Sequence, residues 1–330
     1  VRVAKLEKNA STIKFWGDAR MRYQSGNAGA LDSSNTGSNR FQQRIRIYAK
    51  ADLNDKAAFY GRMDSEWTGQ ANGNKASNVD IFWDYGYFEW TFNPSFKFDI
   101  GRLPLNAAYS MFNTNGAYDG AQFLYNNGKF NGKLAYGDAG NYVVRTSDTK
   151  KDSTPAQEIM LLDLNYAFTN KFAVNAALFN GVNEKLYNYK VWTLGFNTKL
   201  SDDFNLTAAY FQNTNKYAKA NNDDKNPDGW YANLWYKGAD KAKVGSWGLN
   251  LNYRNIKPMA IDSNKMSGMF ANSLVSPIDL YGVKGWGFQA NYTLSKNAIM
   301  TATYETLNRN ATGDTQKLKP FYYLQLNVWF

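Results

Sequence analysis

The chain has 330 residues, a formal net charge of +10, no cysteine and no histidine, which excludes a disulfide framework, thiolate or imidazole metal ligands, and every catalytic arrangement built on Cys or His. Aromatic residues make up 16% of the chain although its mean hydropathy is −0.57, a ring content that a water-soluble core would bury in more apolar segments than these. No run of about 18 apolar residues is present, so no transmembrane helix is available.

The chain begins on Val1 without a Met or a Lys/Arg-led leader, as expected of a processed or trimmed product. In Val1–Ala10, Val3, Leu6 and Ala10 fall at helical spacing, so residues 1–10 are expected to be a linker or the end of a stalk helix, with a frayed terminus as the plainer alternative. Period-two alternation then takes over, and residues 11–330 read as one β unit. In Ser11–Tyr23, Ile13, Phe15, Ala19, Met21 and Tyr23 oppose Lys14, Asp18, Arg20 and Arg22. In Asn39–Asp52, Phe41, Ile45, Ile47, Ala49 and Ala51 oppose Gln42, Arg44, Arg46, Tyr48, Lys50 and Asp52. Ala57–Thr68 sets Phe59, Met63 and Trp67 against Tyr60, Arg62, Asp64 and Glu66. The same habit returns in Tyr187–Leu200, Trp247–Tyr253, Trp286–Leu294 and Ala298–Thr306, and in the closing Phe321–Phe330, FYYLQLNVWF.

Connections alternate between tight turns, such as Leu53–Lys56, Thr169–Lys171 and Ser295–Asn297, and long polar stretches, such as Ser25–Ser38, Gly137–Pro155 and Asn255–Gly282. About 16 strands are expected, an even number, arranged as a transmembrane antiparallel β-barrel. Alternation alone also suits a β-sandwich or propeller, but those have comparably short turns at both ends. An uncharged terminal strand with one apolar face suits a wall facing hydrocarbon, closing on the strand near Ile13–Tyr23 because every backbone amide there must be paired.

Little in the sequence points to chemistry. Asp64 and Glu66 lie two apart on one strand face, a pair that glycosidase work could use but that a wet lumen also accounts for. Asp202-Asp203 and Asp223-Asp224 are either calcium ligands or solvated turn acids, the commoner case. Gly282–Gly287 lies in an alternating strand, where glycine eases bending, not in a phosphate loop. No cofactor is expected. The positive groups alternate with apolar residues and form no patch, which disfavours nucleic acid.

The most informative stretch is Phe96–Tyr125, FKFDIGRLPLNAAYSMFNTNGAYDGAQFLY. A strand runs into Gly101-Arg102, and about fifteen residues without clear alternation follow before strand resumes at Ala121. With Ala107, Ala108, Tyr109, Met111 and Phe112, this segment is too apolar for a solvated loop and is expected to pack inside the barrel. FDIGRLPLN resembles the end of the fifth strand of the general bacterial porins. That resemblance implies a trimeric passive channel in the bacterial outer membrane, with Leu103–Asp119 as the constriction loop and Arg102 as a constriction arginine. It sets Arg44, Arg46 and Arg62 on one basic wall, with Tyr60, Asp64, Glu66, Tyr109 and Asp119 also lining the pore. Arg102 shares parity with Phe98 and Ile100, so a bulge at Gly101 or the strand end is expected to turn it inward, with an arginine that snorkels to the interface as the plainer alternative. Leu103–Tyr118 lacks the acids porins carry there, which implies a net positive constriction and a mild anion preference. FWGDARMRYQ at Phe15–Gln24 resembles the start of the barrel in OmpM-type porins of diderm Firmicutes, which implies a peptidoglycan contact through an S-layer-homology domain outside these residues. The alternatives are a sugar-type substrate-specific porin on lumenal rings such as Trp16, Tyr48 and Tyr60, an outer-membrane hydrolase on Asp64 and Glu66, and a plugged barrel serving as a tether.

Overall fold

The computed structural model describes residues 13–25, 39–70, 80–109, 112–138, 158–181, 189–261 and 282–330. The expected stalk segment Val1–Ala10 and most of Asn255–Gly282 lie outside them. Among the described residues the strands are β1 (Ile13–Gln24), β2 (Arg40–Asn54), β3 (Ala57–Gln70), β4 (Asp80–Asn93), β5 (Phe96–Ala107), β6 (Phe112–Asn126), β7 (Phe130–Asp138) and β8 (Glu158–Ala167). They continue as β9 (Phe172–Gly181), β10 (Lys190–Lys199), β11 (Phe204–Asn213), β12 (Asp228–Lys237), β13 (Trp247–Ile256), β14 (Val283–Ser295), β15 (Ala298–Asn308) and β16 (Phe321–Trp329). A short helix, α1 (Lys216–Ala220), sits between β11 and β12, capped by the Asn215 side chain.

Each strand pairs antiparallel with its chain neighbours, and β1 closes on β16 with Met21 opposite Leu326. The sixteen strands therefore form one closed barrel without a free edge at the seam. The two faces follow the period-two pattern in the inverse sense of a soluble protein. Phe15 is 67% and Ile81 75% exposed on the outside, whereas Asp18, Asp64, Asp84 and Asp99 are buried on the inside. Outward rings such as Trp230, Tyr253 and Trp286 pack against one another along the wall, tilted in the first contact and T-shaped in the second. Such a surface suits hydrocarbon, and its closure suits a medium that offers no hydrogen bonds to an unpaired amide.

One hairpin leaves the wall. Pairing of β4 with β5 ends at Gly86 opposite Arg102, and pairing of β6 with β7 ends at Asp119 opposite Asp138. Beyond those rungs β5 and β6 pair only with each other, from Leu103 opposite Tyr118 to Ala107 opposite Phe112. The segment expected as an irregular loop is thus two strands and a tight tip. Alternation hid them because Pro104 reads as a strand breaker. It lies above the last rung with β4, on an edge where a missing N–H costs little. The buried residues of the hairpin, Leu103, Leu105, Ala107, Ala108 and Tyr118, join one apolar cluster with Ala135, Leu161, Phe179, Phe211 and Tyr231. Those partners are on the inner faces of β7 to β12, so the hairpin lies against that side of the interior.

Glycines make the departure possible. Gly101 has φ +133° and stands opposite Gly120, which stands opposite Gly137. A Cβ on Gly101 would meet the Gly86 carbonyl oxygen at 2.6 Å, and one on Gly120 would meet the Gly137 Cα at 2.6 Å. Along this line the neighbouring backbones approach too closely for a side chain, and a Cβ would strike backbone that cannot move aside. Gly120→Val should cost about 1–3 kcal/mol through this overpacking. The cost would appear as a lower midpoint for heat-induced unfolding of the barrel in detergent, and an unchanged midpoint would overturn the account.

Candidate functional site: the barrel interior

The interior has two unlike walls. On β1 to β4, alternate positions put Arg20, Arg22, Arg44, Arg46 and Arg62 on the inner face. The basic wall expected there is in fact interleaved with acids. Arg46 Nε donates to Asp64 Oδ2 at 2.6 Å, and Arg44 Nη2 donates to Asp18 Oδ1 at 3.3 Å. Arg62 is paired with Asp84 through both Nε and Nη2. Arg20 Nη2 donates to Glu66 Oε2 at 2.8 Å, and the Tyr48 hydroxyl donates to Asp18 Oδ2 at 2.7 Å. Arg22 has no acid partner here: its Nε donates to Gln325 Oε1 at 2.7 Å, and its guanidinium lies 4.4 Å from the centre of the Tyr323 ring. Five guanidiniums therefore face four carboxylates.

Their depths differ. The Asp64 side chain is 5% exposed against 15% for Arg46, and Asp84 is 3% exposed against 16% for Arg62. These two carboxylates sit behind their guanidiniums, Asp18 and Arg44 lie at equal depth, and Glu66 is more exposed than Arg20. The positions that sequence reasoning passed over, Arg20, Asp18 and Asp84, share the lumenal parity of neighbours it did select. The signal was there for Arg20 and Asp18. It was weaker for Asp84, because the register shifts between Arg62 and Met63 as β4 supplies an extra residue there.

The pair suspected of hydrolysis is committed elsewhere. Asp64 is bound to Arg46, while Glu66 accepts from both Arg20 and the Gln42 side-chain amide. Tyr60 stacks on Tyr87 with centroids 5.2 Å apart and planes 15° apart.

Arg102 and Asp119 are corrected. No register shift occurs at Gly101: Tyr87 opposes Gly101 and Gly86 opposes Arg102 in unbroken succession. Arg102 therefore keeps the outward parity of Phe98 and Ile100. Its Nε donates to the Asp84 carbonyl oxygen at 3.0 Å and its Nη1 to Asp119 Oδ2 at 2.9 Å. Asp119 stands beside it on the outer face of β6, with Phe123 four rungs below. The two form an exterior ion pair at the point where the hairpin leaves the wall, not part of the lumen lining.

The opposite wall, on β8 to β15, carries Asp163 and the fully buried Arg254–Glu305 pair, and is otherwise hydrogen-bonding through amides and hydroxyls. Asn197 Nδ2 donates to Asn205 Oδ1 at 2.9 Å and to Thr207 Oγ1 at 2.6 Å, and Gln289 Nε2 donates to Thr303 Oγ1 at 3.2 Å. The hairpin is fastened to this side. The Ala108 N–H donates to Asp163 Oδ1 at 3.3 Å, the Tyr109 hydroxyl reaches Asn165 Oδ1 at 3.1 Å, and Lys133 Nζ donates to the Asn106 carbonyl at 2.6 Å. Burial first, and then the Asp163 carboxylate, push the Tyr109 phenol up to about 12. Tyr109 stays protonated as a donor, so it acts as an anchor for the hairpin tip.

No family model and no curated protein sequence matches the chain. Solved structures do. A triple mutant of the porin of Rhodopseudomonas blastica superposes with a TM-score of 0.59 at 13% identity, covering 96% of this chain and 100% of that one. OmpF of Salmonella typhi, solved with daunomycin, gives a TM-score of 0.59 at 13% identity, covering 96% of this chain and 97% of that one. At this identity the likeness establishes a shared fold.

Asp163 holds both the Ala108 N–H and the Asn175 side-chain amide. Asp163→Ala should strand both donors at a cost of about 1–3 kcal/mol. Hydrogen exchange should then show the Ala108 amide opening faster than in the parent. Equal exchange at Ala108 would mean that the apolar packing alone fixes the hairpin.

Proposed function

We propose that this chain is an outer-membrane porin, a passive diffusion channel for small hydrophilic solutes and ions with no enzymatic activity. The observation that carries the reading is the inverted barrel: apolar side chains outside, ion pairs inside, and one hairpin turned in against the inner wall. A closed wall of this kind satisfies its amides in lipid. The hairpin fills the side next to β7 to β12 and leaves a passage along β1 to β4, so residues 103–119 act as the constriction loop, with Arg102 and Asp119 at its outer base. The fold shared with solved porins supports the same reading. Assembly as a homotrimer in outer-membrane lipid follows by analogy with general porins. The Phe15–Gln24 segment favours the OmpM type and, with it, a peptidoglycan contact through a further domain.

Transport here needs no chemistry. A solute crosses where the lumen is wet, and selectivity comes from the width and charge of the narrowest part. Four of these guanidiniums are matched by carboxylates, while Arg22 is held by Gln325 and Tyr323 instead, and this surplus of positive charge gives a mild anion preference.

Reversal potential in a planar bilayer under a salt gradient tests this, together with conductance appearing in steps of three for the trimer. Anion selectivity is expected, and cation selectivity would refute the charge assignment. Arg44→Ala removes one lumenal charge and should move the reversal potential toward cations, whereas Arg102→Ala, on the exterior, should leave it in place. A shift with Arg102→Ala alone would return the exterior pair to the pore.

A further inference from the structure

The rings on the inner face of β1 to β4 have no role in the diffusion reading. Rows of partners across the strands bring them together. Trp16 opposes Tyr48, Tyr48 opposes Arg62, and Arg62 opposes Tyr85. On the next row toward the short turns, Lys50 opposes Tyr60 and Tyr60 opposes Tyr87. The side chains join into one strip. Trp16 and Tyr48 stack at 5.5 Å with planes 8° apart, and Tyr60 and Tyr87 stack in the same manner. Tyr85 and Tyr87 lie 6.0 Å apart, and the Arg62 guanidinium bridges Tyr85 at 4.5 Å and Tyr48 at 5.7 Å. Strands in a barrel tilt by about 35–45°, so a row across four strands winds obliquely around the lumen.

Lipid does not account for these rings, because they take the lumenal parity. Burial accounts for Tyr87 alone among them: Trp16 is 42% exposed, Tyr48, Tyr60 and Tyr85 are half-buried, and the rings enclosed by the hairpin are Phe179, Phe211 and Tyr231 on the far wall. Tyr87 packs against the hairpin cluster, so the strip runs from the short-turn end of the lumen to the base of the inturned hairpin. Facing it, toward the same end of β10 and β11, are the amide and hydroxyl groups of Asn197, Asn205 and Thr207.

We infer that this strip is a binding track for saccharides. A pyranose has a C–H face that stacks on aromatic rings, whose faces carry negative potential, and a rim of hydroxyls that suits amides and guanidiniums. The two walls offer those two chemistries across one passage. A flexible polyether of the same size has no flat face to stack and no hydroxyl donors along its length. The inference rests on the diffusion-pore reading and adds a substrate class to it.

The test is ion current through the intact protein in a planar bilayer with maltotriose added on the short-turn side, against a polyethylene glycol of equal hydrodynamic radius. Maltotriose should block saturably, at a concentration about 10-fold below that of the polymer. Tyr60→Leu and Trp16→Ala should each raise the half-blocking concentration about 5–10-fold, the loss of one ring contact. Tyr60→Phe, which keeps the ring, and Trp230→Ala, on the lipid side, should stay within about twofold of the parent. Equal block by sugar and polymer, or block indifferent to Tyr60→Leu, overturns the track while leaving the pore. A protein that inserts but passes no current removes the pore and the track with it.

Discussion

Everything in this molecule depends on pairing backbone amides in a wall that has no water on its outer side. An unpaired N–H or C=O in hydrocarbon costs several kcal/mol, and a barrel of sixteen strands avoids the cost only by joining β1 to β16. Closure also assigns the side chains. Once the outer face is apolar, the alternate positions turn inward, and there they can carry charges that would be prohibitive elsewhere. The guanidinium–carboxylate pairs of β1 to β4 follow from that constraint, because neighbouring strands hold inward positions close enough for Arg46 to meet Asp64 and for Arg44 to meet Asp18.

Among the described residues the constraint is broken at the hairpin, and its surroundings show how the break is managed. Where β5 parts from β4, the upper edge of β4 loses its partner. Arg102 Nε takes the Asp84 carbonyl that the departing strand no longer reaches, and Asp119 neutralises the guanidinium. This explains an arginine on the parity of Ile100: it mends the wall. The same carbonyl belongs to the residue whose carboxylate holds Arg62 inside, so Asp84 couples the exterior patch to the lumenal charge layer through one residue.

How much of this was legible in the sequence depends on range. The strands and the closing pair could be read because each is written in adjacent residues, as Met21 and Leu326 show by facing outward from their own alternations. The inward packing of the β5–β6 segment was also legible, from Ala107, Ala108 and Tyr109 in a stretch too apolar for solvent. Its strand character was not, since Pro104 masks it and both hairpin strands lose their wall partners. The placement of Arg102 turned on whether Gly101 adds a residue to the strand or only changes its direction. Its φ of +133° bends the chain without shifting the register, and no local rule separates those outcomes. Ion-pair partners were invisible for a related reason: Arg20 and Glu66 are 46 residues apart, and only the barrel brings them together.

The division of the interior follows from what the hairpin buries. Apolar inner residues of β7 to β12, such as Leu161 and Phe179, would be costly in a wet lumen, and the hairpin covers them with Leu103, Leu105 and Tyr118. At the level of the hairpin the wall it covers is therefore closed off, and the open side is the one whose inner residues tolerate water. Charge and aromatic stacking accumulate on β1 to β4, which lie on that open side. A hairpin fastened by Asp163, Asn165 and Lys133 to the far side thus decides which wall borders the open part of the interior, without itself carrying a charge toward it.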